Sequence, residues 1–355
     1  MDLDTLKQIQ ANFLKELESA NAGKKTSLPY VINKLPKSNL VKDGETFQVI
    51  VTGGTICKEA TVNYAGGKTV LKNKQEMPVS PFNTKEDFLE FILKILNKDT
   101  KTLALNFTFA IKPTFEKGKL DGILFSASKE HRLEGLYGEK VGVEIEKYVF
   151  EKTGRKITVS VGNDTICLLL SALTKYSYDQ VSAGVLGTGV NFAIFLDKNS
   201  LVNLEAASFD KFPISEEAKE IDKNSTKPGG WLLEKEIAGA YLYKQFNLIV
   251  ECQMLDYPAI NSTAELNTIA NKNLGQVSQI AKDLFKKSAQ LSACAIAAIT
   301  QFQKKDMIFV MEGSLFWFNI ENQIGEYLKK LIPQYNVTFA KIENSEILGA
   351  AKLVA

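Results

Sequence analysis

The sequence predicts an α/β protein with two lobes and a cleft between them, and three observations support this prediction. The chain of 355 residues is longer than one typical hydrophobic core organises. Strand and helix patterns alternate in two successive blocks, an arrangement typical of two α/β lobes that bind a ligand between them. Hydrophobic residues make up 45% of the chain and charged residues 24%, which is ordinary for a globular protein.

The balance of charge argues against two classes of partner. The 43 lysines and arginines nearly equal the 41 aspartates and glutamates, which leaves a formal net charge of +2. Lysines alternate with acids along the chain, a pattern typical of a solvated surface. Because no overall field attracts polyanions, we expect neither a nucleic-acid partner nor a membrane partner.

Cysteine and histidine usage argues against the common metal sites. Cys57, Cys167, Cys252 and Cys294 lie far apart without a CxxC pair, as expected of reduced, buried thiols in a cytosolic protein. His131 is the only histidine, so a histidine-rich metal site is impossible. Its charged setting, SKEHRLEG, predicts a solvated loop and not a member of a catalytic triad.

The first predicted element is an amphipathic helix. Leu6, Ile9, Phe13 and Leu17 form one apolar stripe, which predicts a helix docked on the protein and not a signal peptide. No apolar run approaches the length of a membrane span. We therefore expect a cytoplasmic protein.

The first block of alternating elements begins with strands. The segments TFQVIVTGG, TICKEATVNYAGG and KTVLKNKQEMPV read as three strands. The GGKT of residues 66–69 resembles part of a P-loop, but that motif requires a glycine where Val62 stands, so a hairpin turn is predicted. A helix at about residues 85–97, a strand TLALNFTFAI and a helix at about residues 138–151 follow.

The second block begins with KITVSVGNDTICLLLSAL, which predicts a strand that runs directly into a helix. VSAGVLGTGVNFAIFL and SLVNLEAAS read as strands around turns. From Pro228 the pattern is mostly helical, and DMIFVMEGSLF is a strand that interrupts it.

Several motifs place polar groups at the ends of predicted strands, and each has two readings. VIVTGGTICKEA is either a phosphate-binding turn or a plain hairpin. Asn163 and Asp164 in VGNDT are either a helix cap or a carboxylate that accepts a proton from a substrate hydroxyl at the end of a strand. The GTG of residues 187–189 is a tight turn or an amide nest for phosphate. Glu205 and Glu234, taken singly, read as surface acids.

In their order along the chain, these motifs resemble the eukaryotic-type hexokinase family. ANFLKELESANAGKKTSLPYVINKLP is similar to its leading helix and arm, FQVIVTGGTICK to its first phosphate loop and LNFTFAIKP to its sugar-loop strand. GILFSASKE matches its Thr/Ser-Lys segment, VGNDT its Asn-Asp motif and GTGVN its second phosphate turn. NLEAASF and DKNSTKPGGWLLEKEIAGAYL match its two sugar-binding Glu segments, and SAQLSACAIAAI and LGAAKLVA resemble later helices. This order, over nearly the whole chain, is more specific than any single motif.

The resemblance implies a ribonuclease H-like fold of the actin/hexokinase type with an interlobe cleft. It implies an N-terminal helix and arm at residues 1–43, a small lobe at 44–162 and a large lobe at 163–345. The C-terminal helix, residues 346–355, would return to the small lobe. The implied partners are a hexose and a nucleotide, and the implied assembly is a monomer or a weak homodimer.

The resemblance also implies an activity: an ATP-dependent kinase of glycolysis that uses Mg²⁺ and phosphorylates the 6-hydroxyl of glucose or a related hexose. Asp164 would be the catalytic base. The implied sugar-binding residues, whose polar groups suit hydroxyls, are Ser128, Lys129, Asn163, Asn191, Glu205 and Glu234. The implied nucleotide-binding residues are Gly53, Gly54, Thr55, Lys58, Gly187, Thr188, Gly189, Gly313 and Ser314. No side chain is assigned as a direct metal ligand.

Departures from the family pattern concentrate on the nucleotide side. Val51 stands where the family has an Asp that helps to hold hydrated Mg²⁺. The other departures on this side are Ile56 and Lys58 for Asn and Arg, Glu312 for Asp, and Ser345, Glu346 and Ile347 for small flexible residues. On the sugar side, Ala110 replaces a serine and Trp231 a glutamine.

Three functional hypotheses follow from this pattern. The first is an active ATP-dependent hexokinase-like enzyme, which the retained Asp164 favours. The second is a sugar-binding pseudokinase that acts as a sensor, which the loss of an acid at Val51 favours because metal-side carboxylates stabilise the transition state. The third retains phosphoryl transfer with a different donor or acceptor.

Overall fold

A computed structural model describes residues 1–53, 55–126 and 131–355 of the chain. Within these ranges, helices and strands alternate in mixed order. The helices are α1 Leu3–Asn21, α2 Lys85–Ile95, α3 Val141–Thr153, α4 Asp164–Ser171, α5 Glu216–Lys223, α6 Leu232–Ile237, α7 Gly239–Cys252, α8 Thr263–Ala270, α9 Gln276–Gln303, α10 Glu321–Leu331 and α11 Ser345–Ala351. The strands are β1 Val31–Lys34, β2 Thr46–Thr52, β3 Ile56–Ala65, β4 Lys68–Pro78, β5 Thr102–Phe107, β6 Ala110–Glu116, β7 Lys119–Ser126, β8 Thr158–Asn163, β9 Val181–Leu186, β10 Val190–Asp197, β11 Ser200–Asn203, β12 Met307–Glu312 and β13 Val337–Ala340.

The strands of the described ranges form two larger sheets and a separate hairpin. Six strands lie in the order β1-β11-β10-β9-β12-β13, five in the order β4-β3-β2-β5-β8, and β6 pairs with β7. Both larger sheets are mixed: β12 and β13 are parallel and β1 and β11 antiparallel in one, while β2 is parallel to β5 and antiparallel to β3 in the other. The predicted α/β class is confirmed.

Local sequence signals explain most element boundaries. The predicted helix at residues 85–97 is α2, which begins after a capping box in which Thr84 and Asp87 each accept the other's backbone amide. GGKT is a hairpin turn, as predicted, because Gly66 and Gly67 both have positive φ between β3 and β4. The segment TLALNFTFAI, predicted as one strand, is divided between β5 and β6.

The five-stranded sheet has two different faces. Ile50, Leu105 and Val161, paired across β2, β5 and β8, share a buried core cluster with Phe88 of α2 and Ile145 of α3. Because successive side chains of a strand point to opposite faces, the residues next to these in sequence face away from that core. The C-terminal helix α11 packs against β2 and β5 on this second face.

The position of α11 depends on Gly349. A Cβ atom on this residue would lie 1.7 Å from the carbonyl oxygen of Cys167 in α4, which is closer than any real contact. Two helices can approach this closely only where one of them has no side chain. Gly349 therefore determines how α11 lies against α4 and against the sheet.

The helix α1 docks through its predicted stripe, because Leu6, Ile9, Phe13 and Leu17 are all buried. It packs mainly against α9, and Asp2 caps its N-terminus by accepting the Thr5 amide at 2.8 Å. The prediction of a docked amphipathic helix is confirmed.

The chain divides into two compact units. Unit 1 consists of Met1–Tyr30, Gly184–Phe192 and Leu204–Lys341, and unit 2 of Val31–Ala183, Ala193–Asn203 and Ile342–Ala355. Unit 1 contains α1 because this helix packs on α9, and unit 2 contains α4 because it packs on α11. The lobe boundaries expected after residues 43, 162 and 345 do not coincide with the unit boundaries, and they stay a prediction.

Two predicted environments are wrong. His131, expected in a solvated loop, is buried between the rings of Phe82 and Phe109, and its Nδ1 accepts the Phe82 amide at 3.1 Å. Aromatic packing therefore outweighs the charged neighbours in sequence. Cys252 is exposed, whereas the other three cysteines are buried, and all four are free thiols.

No helix of the described ranges is long and apolar enough to cross a membrane.

We expect Gly349→Ala to lower the free energy of unfolding by about 1–3 kcal/mol, since its methyl group would overlap the Cys167 carbonyl and force α11 and α4 apart. The matched control is Gly325→Ala in α10, where no atom lies within 4 Å of the added carbon and a helical alanine stabilises by up to about 1 kcal/mol. Urea unfolding of both variants measures the difference. Equal stabilities would contradict the assigned role of Gly349.

Candidate active site

One turn in unit 1, Gly187–Asn191, organises the polar groups of the candidate site. Gly239, at the start of α7, donates its amide to the Gly187 carbonyl at 2.8 Å, and Ala240 donates to the Thr188 carbonyl at 3.2 Å. A Cβ atom on Gly239 would lie 2.8 Å from the Gly187 oxygen. The turn is therefore held by direct backbone contact that only glycine permits.

Glu234 reaches the same turn from α6. Its Oε2 accepts the Val190 amide at 3.2 Å and lies 2.6 Å from where a Cβ atom on Gly189 would be. Burial raises the pKa of Glu234 above its ordinary value, while the Val190 amide and the charge of Lys235 act in the opposite direction. A half-buried carboxylate is suited to accept a hydrogen bond from a hydroxyl.

Asn191 connects the turn to the Glu205 segment. Its Oδ1 accepts the Ala206 amide at 3.2 Å and its own following amide, that of Phe192, at 2.8 Å. Glu205 has φ 52°, a left-handed conformation that is uncommon for residues other than glycine. Such conformations persist where the surroundings hold them, and they cluster at functional sites.

A buried ammonium supports the segment that carries Glu234. Lys235 Nζ donates to Asp222 Oδ1 at 2.5 Å, to Ser225 Oγ at 2.9 Å and to the Lys227 carbonyl at 2.9 Å. All three protons of the ammonium therefore have acceptors, although the side chain is only 1% exposed. Trp231, which caps α6 with φ 54°, has the Lys227 ammonium 4.4 Å from its ring centre.

The other side of the turn lines a cavity of about 490 Å³ in unit 1. Gly187, Thr188 and Ser314, all predicted to bind nucleotide, are among its lining residues, together with Tyr243 and Phe318. Its volume lies in the range of about 300–1,000 Å³ that small-molecule sites occupy. Gly313, also predicted, has φ 111° and packs so closely on Leu186 that a Cβ atom would be 2.1 Å from that residue's carbonyl oxygen.

In unit 2, the junction of β8 and α4 combines both readings of VGNDT. Asn163 caps α4, because its Oδ1 accepts the Thr165 amide at 3.1 Å, and it also accepts Asn203 Nδ2 at 3.2 Å. Asp164 is exposed at the carboxyl end of β8, and its Oδ1 accepts the Thr165 amide at 2.6 Å.

The first predicted phosphate loop is a tight turn between β2 and β3. Gly53 donates its amide to the Ile56 carbonyl at 3.0 Å, and a Cβ atom on Gly53 would lie 2.3 Å from that oxygen. Thr55 is exposed, while Lys58 is half-buried and forms an ion pair with Glu346 at 2.6 Å. Gly54, Ser128 and Lys129 lie outside the described residues.

The structure therefore groups the predicted residues by unit. Asn191, Glu205 and Glu234 converge in unit 1 with the turn residues Gly187, Thr188 and Gly189, while Asn163, Asp164, Gly53, Thr55 and Lys58 belong to unit 2. The sequence reasoning missed Lys235 and Asp222, because lysine and aspartate read as surface residues without their partners. Nothing in the sequence Glu234-Lys235-Glu236 indicates that the lysine is buried.

Comparisons with known proteins support the same relationship. A family model described as Hexokinase matches residues 249–355. The hexokinase of Emericella nidulans is 26% identical over 436 aligned positions, which cover 100% of this chain and 88% of that protein. Hexokinase-1 of Saccharomyces cerevisiae is 25% identical, and the match covers 70% of this chain and 58% of the yeast protein.

Solved structures share the fold. The chain is similar to a hexokinase from Schistosoma mansoni complexed with glucose, with a TM-score of 0.80 at 18% identity, covering 100% of this chain and 95% of that one. A ROK family glucokinase from Streptomyces griseus in complex with glucose and AMPPNP gives a TM-score of 0.57 at 15% identity, covering 87% and 99%. These matches define a hexokinase-like α/β fold.

Fold, motif order and full-length sequence similarity agree. The chain is a distant sequence relative of a hexokinase over its full length, at 26% identity, and its residues 249–355 match the Hexokinase family model. Hexokinases are phosphotransferases that act on an alcohol group.

We expect Lys235→Met to lower the free energy of unfolding by about 1–3 kcal/mol, because it leaves the half-buried Asp222 without its counter-charge and Ser225 Oγ and the Lys227 carbonyl without this donor. Lys227→Met is the matched control: it removes only an exposed ammonium above Trp231, worth about 0.5–1 kcal/mol, and keeps the carbonyl that Lys235 uses. Chemical denaturation measures both variants. A Lys235→Met protein as stable as its control would show that this ammonium does not hold the segment.

Proposed function

We propose that the protein is an ATP-dependent, hexokinase-like sugar kinase that phosphorylates the 6-hydroxyl of glucose or a closely related hexose. Its cytoplasmic location and a place in glycolysis belong to the same proposal. The main observation in its support is that the turn Gly187–Asn191 takes part in two neighbouring features. The turn contacts Glu234 and the Glu205 segment, which suit a polyol, and also lines a cavity of suitable volume for a nucleoside.

The sugar is bound, in this proposal, by Ser128, Lys129, Asn163, Asn191, Glu205 and Glu234. Each hexose hydroxyl needs a donor and an acceptor, which amides and carboxylates supply. The glucose present in the Schistosoma mansoni and Streptomyces griseus structures supports a hexose as the acceptor. Asp164 accepts the proton of the attacking hydroxyl.

The nucleotide is bound by the backbone of the two glycine turns, with Gly53, Gly54, Thr55 and Lys58 in the first and Gly187, Thr188 and Gly189 in the second. Gly313 and Ser314 complete the set. Amide nests bind phosphate without side-chain charge, so the valine at position 51 leaves them intact. Mg²⁺, when bound, neutralises charge on the transferred phosphoryl group. The described residues contain no cluster of three or more metal-ligating side chains, so the cation relies largely on the phosphates.

A sugar-binding pseudokinase is the second candidate function. Val51 favours it, because the acid that the family uses near the metal is absent there. Asp164 favours the enzyme, since a sensor has less need of a catalytic base than of the groups that bind sugar.

The decisive experiment measures hexose-dependent ADP release by the wild type, Asp164→Ala and Val51→Asp. We expect weak activity that needs elevated Mg²⁺, a loss of at least about 100-fold in Asp164→Ala because the general base is removed, and a gain in Val51→Asp. GTP and polyphosphate in a donor panel test the third hypothesis. Melting temperatures with a hexose panel report binding by mass action in the same samples.

If neither the wild type nor Asp164→Ala releases ADP while glucose still raises the melting temperature, the protein is a sensor and not an enzyme. No thermal response to any hexose would remove both candidates. Val51→Asp also serves as an internal control for the metal side, since it changes no proposed sugar contact.

We expect hexose affinity to fall as the pH is lowered through the pKa of Glu234, which burial raises above 4.5, since the protonated acid no longer accepts from the sugar. The contribution of Glu234 to folding stability depends on pH in the opposite direction to its contribution to hexose affinity. The folded protein binds this proton more tightly than the unfolded chain, so the contribution of Glu234 is largest at low pH and declines as the pH rises through that pKa. Calorimetric titration with glucose should show the dependence in the wild type. Glu234→Gln should bind more weakly, with a flat profile over the same range.

A further inference from the structure

The face of the five-stranded sheet that α11 covers bears on the proposed kinase function, on which this inference rests. Val51 of β2 pairs with Lys58 of β3 on one side and with Asn106 of β5 on the other. Residues paired across neighbouring strands share a face, so these three side chains form one row. The apolar member of the row is the position at which the family carries its metal-side acid.

A glutamate from elsewhere in the chain contacts both neighbours of Val51, one through its carboxylate and the other through its backbone carbonyl. Glu346 Oε1 accepts from Lys58 Nζ at 2.6 Å, and the Glu346 carbonyl oxygen accepts from Asn106 Nδ2 at 3.2 Å. Its Oε2 accepts from Ser345 Oγ at 3.3 Å. Burial alone would raise the pKa of Glu346, but the bond from Lys58 and the local donors lower it, so the carboxylate is ionised at neutral pH.

The same row contains a polar atom that needs a further donor. Asn106 is 1% exposed, and its Oδ1 has no hydrogen-bond partner within the ranges that the structure describes. A buried carbonyl oxygen left in this state costs about 1–3 kcal/mol. A bound water that donates a hydrogen bond would satisfy it.

We propose that Glu346 and Asn106 replace the carboxylate missing at Val51, and together hold the water shell of the Mg²⁺ that accompanies the nucleotide at the first phosphate loop. Mg²⁺ in nucleotide sites keeps several waters and takes only one or two protein carboxylates. Its waters are donors, which suits both the amide oxygen and the carboxylate. An ionised carboxylate has about four acceptor positions, so the bonds from Lys58 and Ser345 leave capacity for such waters.

The alternative role for the Lys58–Glu346 pair is to oppose nucleotide binding. If the Lys58–Glu346 pair only closed the loop against anions, Glu346 would repel phosphate and removing it would tighten nucleotide binding. The two roles therefore predict opposite signs for one substitution.

The test is calorimetric titration of the full chain with ADP, once with Mg²⁺ and once with a chelator, and the measured quantity is the ratio of the two affinities. In the wild type we expect MgADP to bind more tightly than free ADP. Glu346→Gln should reduce that ratio by about 10-fold or more, the usual effect of losing a group that orients metal-bound waters. Asn106→Leu should reduce it as well, and Val51→Asp placed in Glu346→Gln should restore it.

Glu76→Gln is the matched control. Glu76 is the other acid near Lys58, at 3.8 Å, and it also pairs with Lys74 at 2.9 Å, so its loss should leave the ratio unchanged. Thermal unfolding with glucose in each variant verifies that the fold and the sugar site are intact.

Tighter binding of ADP by Glu346→Gln, both with and without Mg²⁺, overturns the inference in favour of a closing ion pair. An unchanged ratio in Glu346→Gln also overturns it, while the kinase proposal stands if ADP release still depends on Asp164. A wild type that binds glucose but no nucleotide in either condition rejects both.

Discussion

Direct contact between backbones at Gly187 and Gly239 is the constraint on which the candidate site depends. The amides of Gly239 and Ala240 hold the turn that follows β9, and no side chain fits between them. The turn continues through Val190 and Asn191. Its position therefore determines where the Val190 amide donates to Glu234, and where the Asn191 side chain accepts from the Glu205 segment. A displacement of α7 would therefore move the proposed hydroxyl-binding groups and the cavity lining of unit 1 together.

Two ion pairs, one in each unit, are the second organising feature. In unit 1, Lys235 satisfies three oxygens of the segment that carries Glu234, and its charge limits the rise in pKa that burial imposes on that acid. In unit 2, Lys58 keeps Glu346 ionised beside an apolar valine. Breaking either pair leaves a charge with high desolvation cost, so these residues fix local structure as well as local charge.

Much of the fold was predictable because it follows local periodicity. The stripe of α1, the glycine hairpin of β3 and β4, and the strand-to-helix passage at Asn163 are all properties of neighbouring residues. Motif order also indicated Asn191, Glu205 and Glu234, whose segments contact one another around one turn, while their roles stay a prediction. Environments decided by distant partners were not predictable: His131 is buried by Phe82 and Phe109, and Lys58 meets an acid 288 positions away.

Sugar binding and phosphate binding, the two parts of the proposed chemistry, place different demands on side chains. This difference explains why the departures from the family pattern concentrate on the nucleotide side. Hydroxyls are recognised by directional side-chain donors and acceptors, and an unpaired buried group is costly, so the proposed sugar-binding residues Asn163, Asn191, Glu205 and Glu234 would admit little change. Phosphate is cradled by backbone amides, which survive replacement of the side chains around them. Only the groups that orient the cation's waters need side chains on this side. A carboxylate can serve that purpose from any element that reaches the same face, and α11, held against α4 by Gly349, brings Glu346 to it.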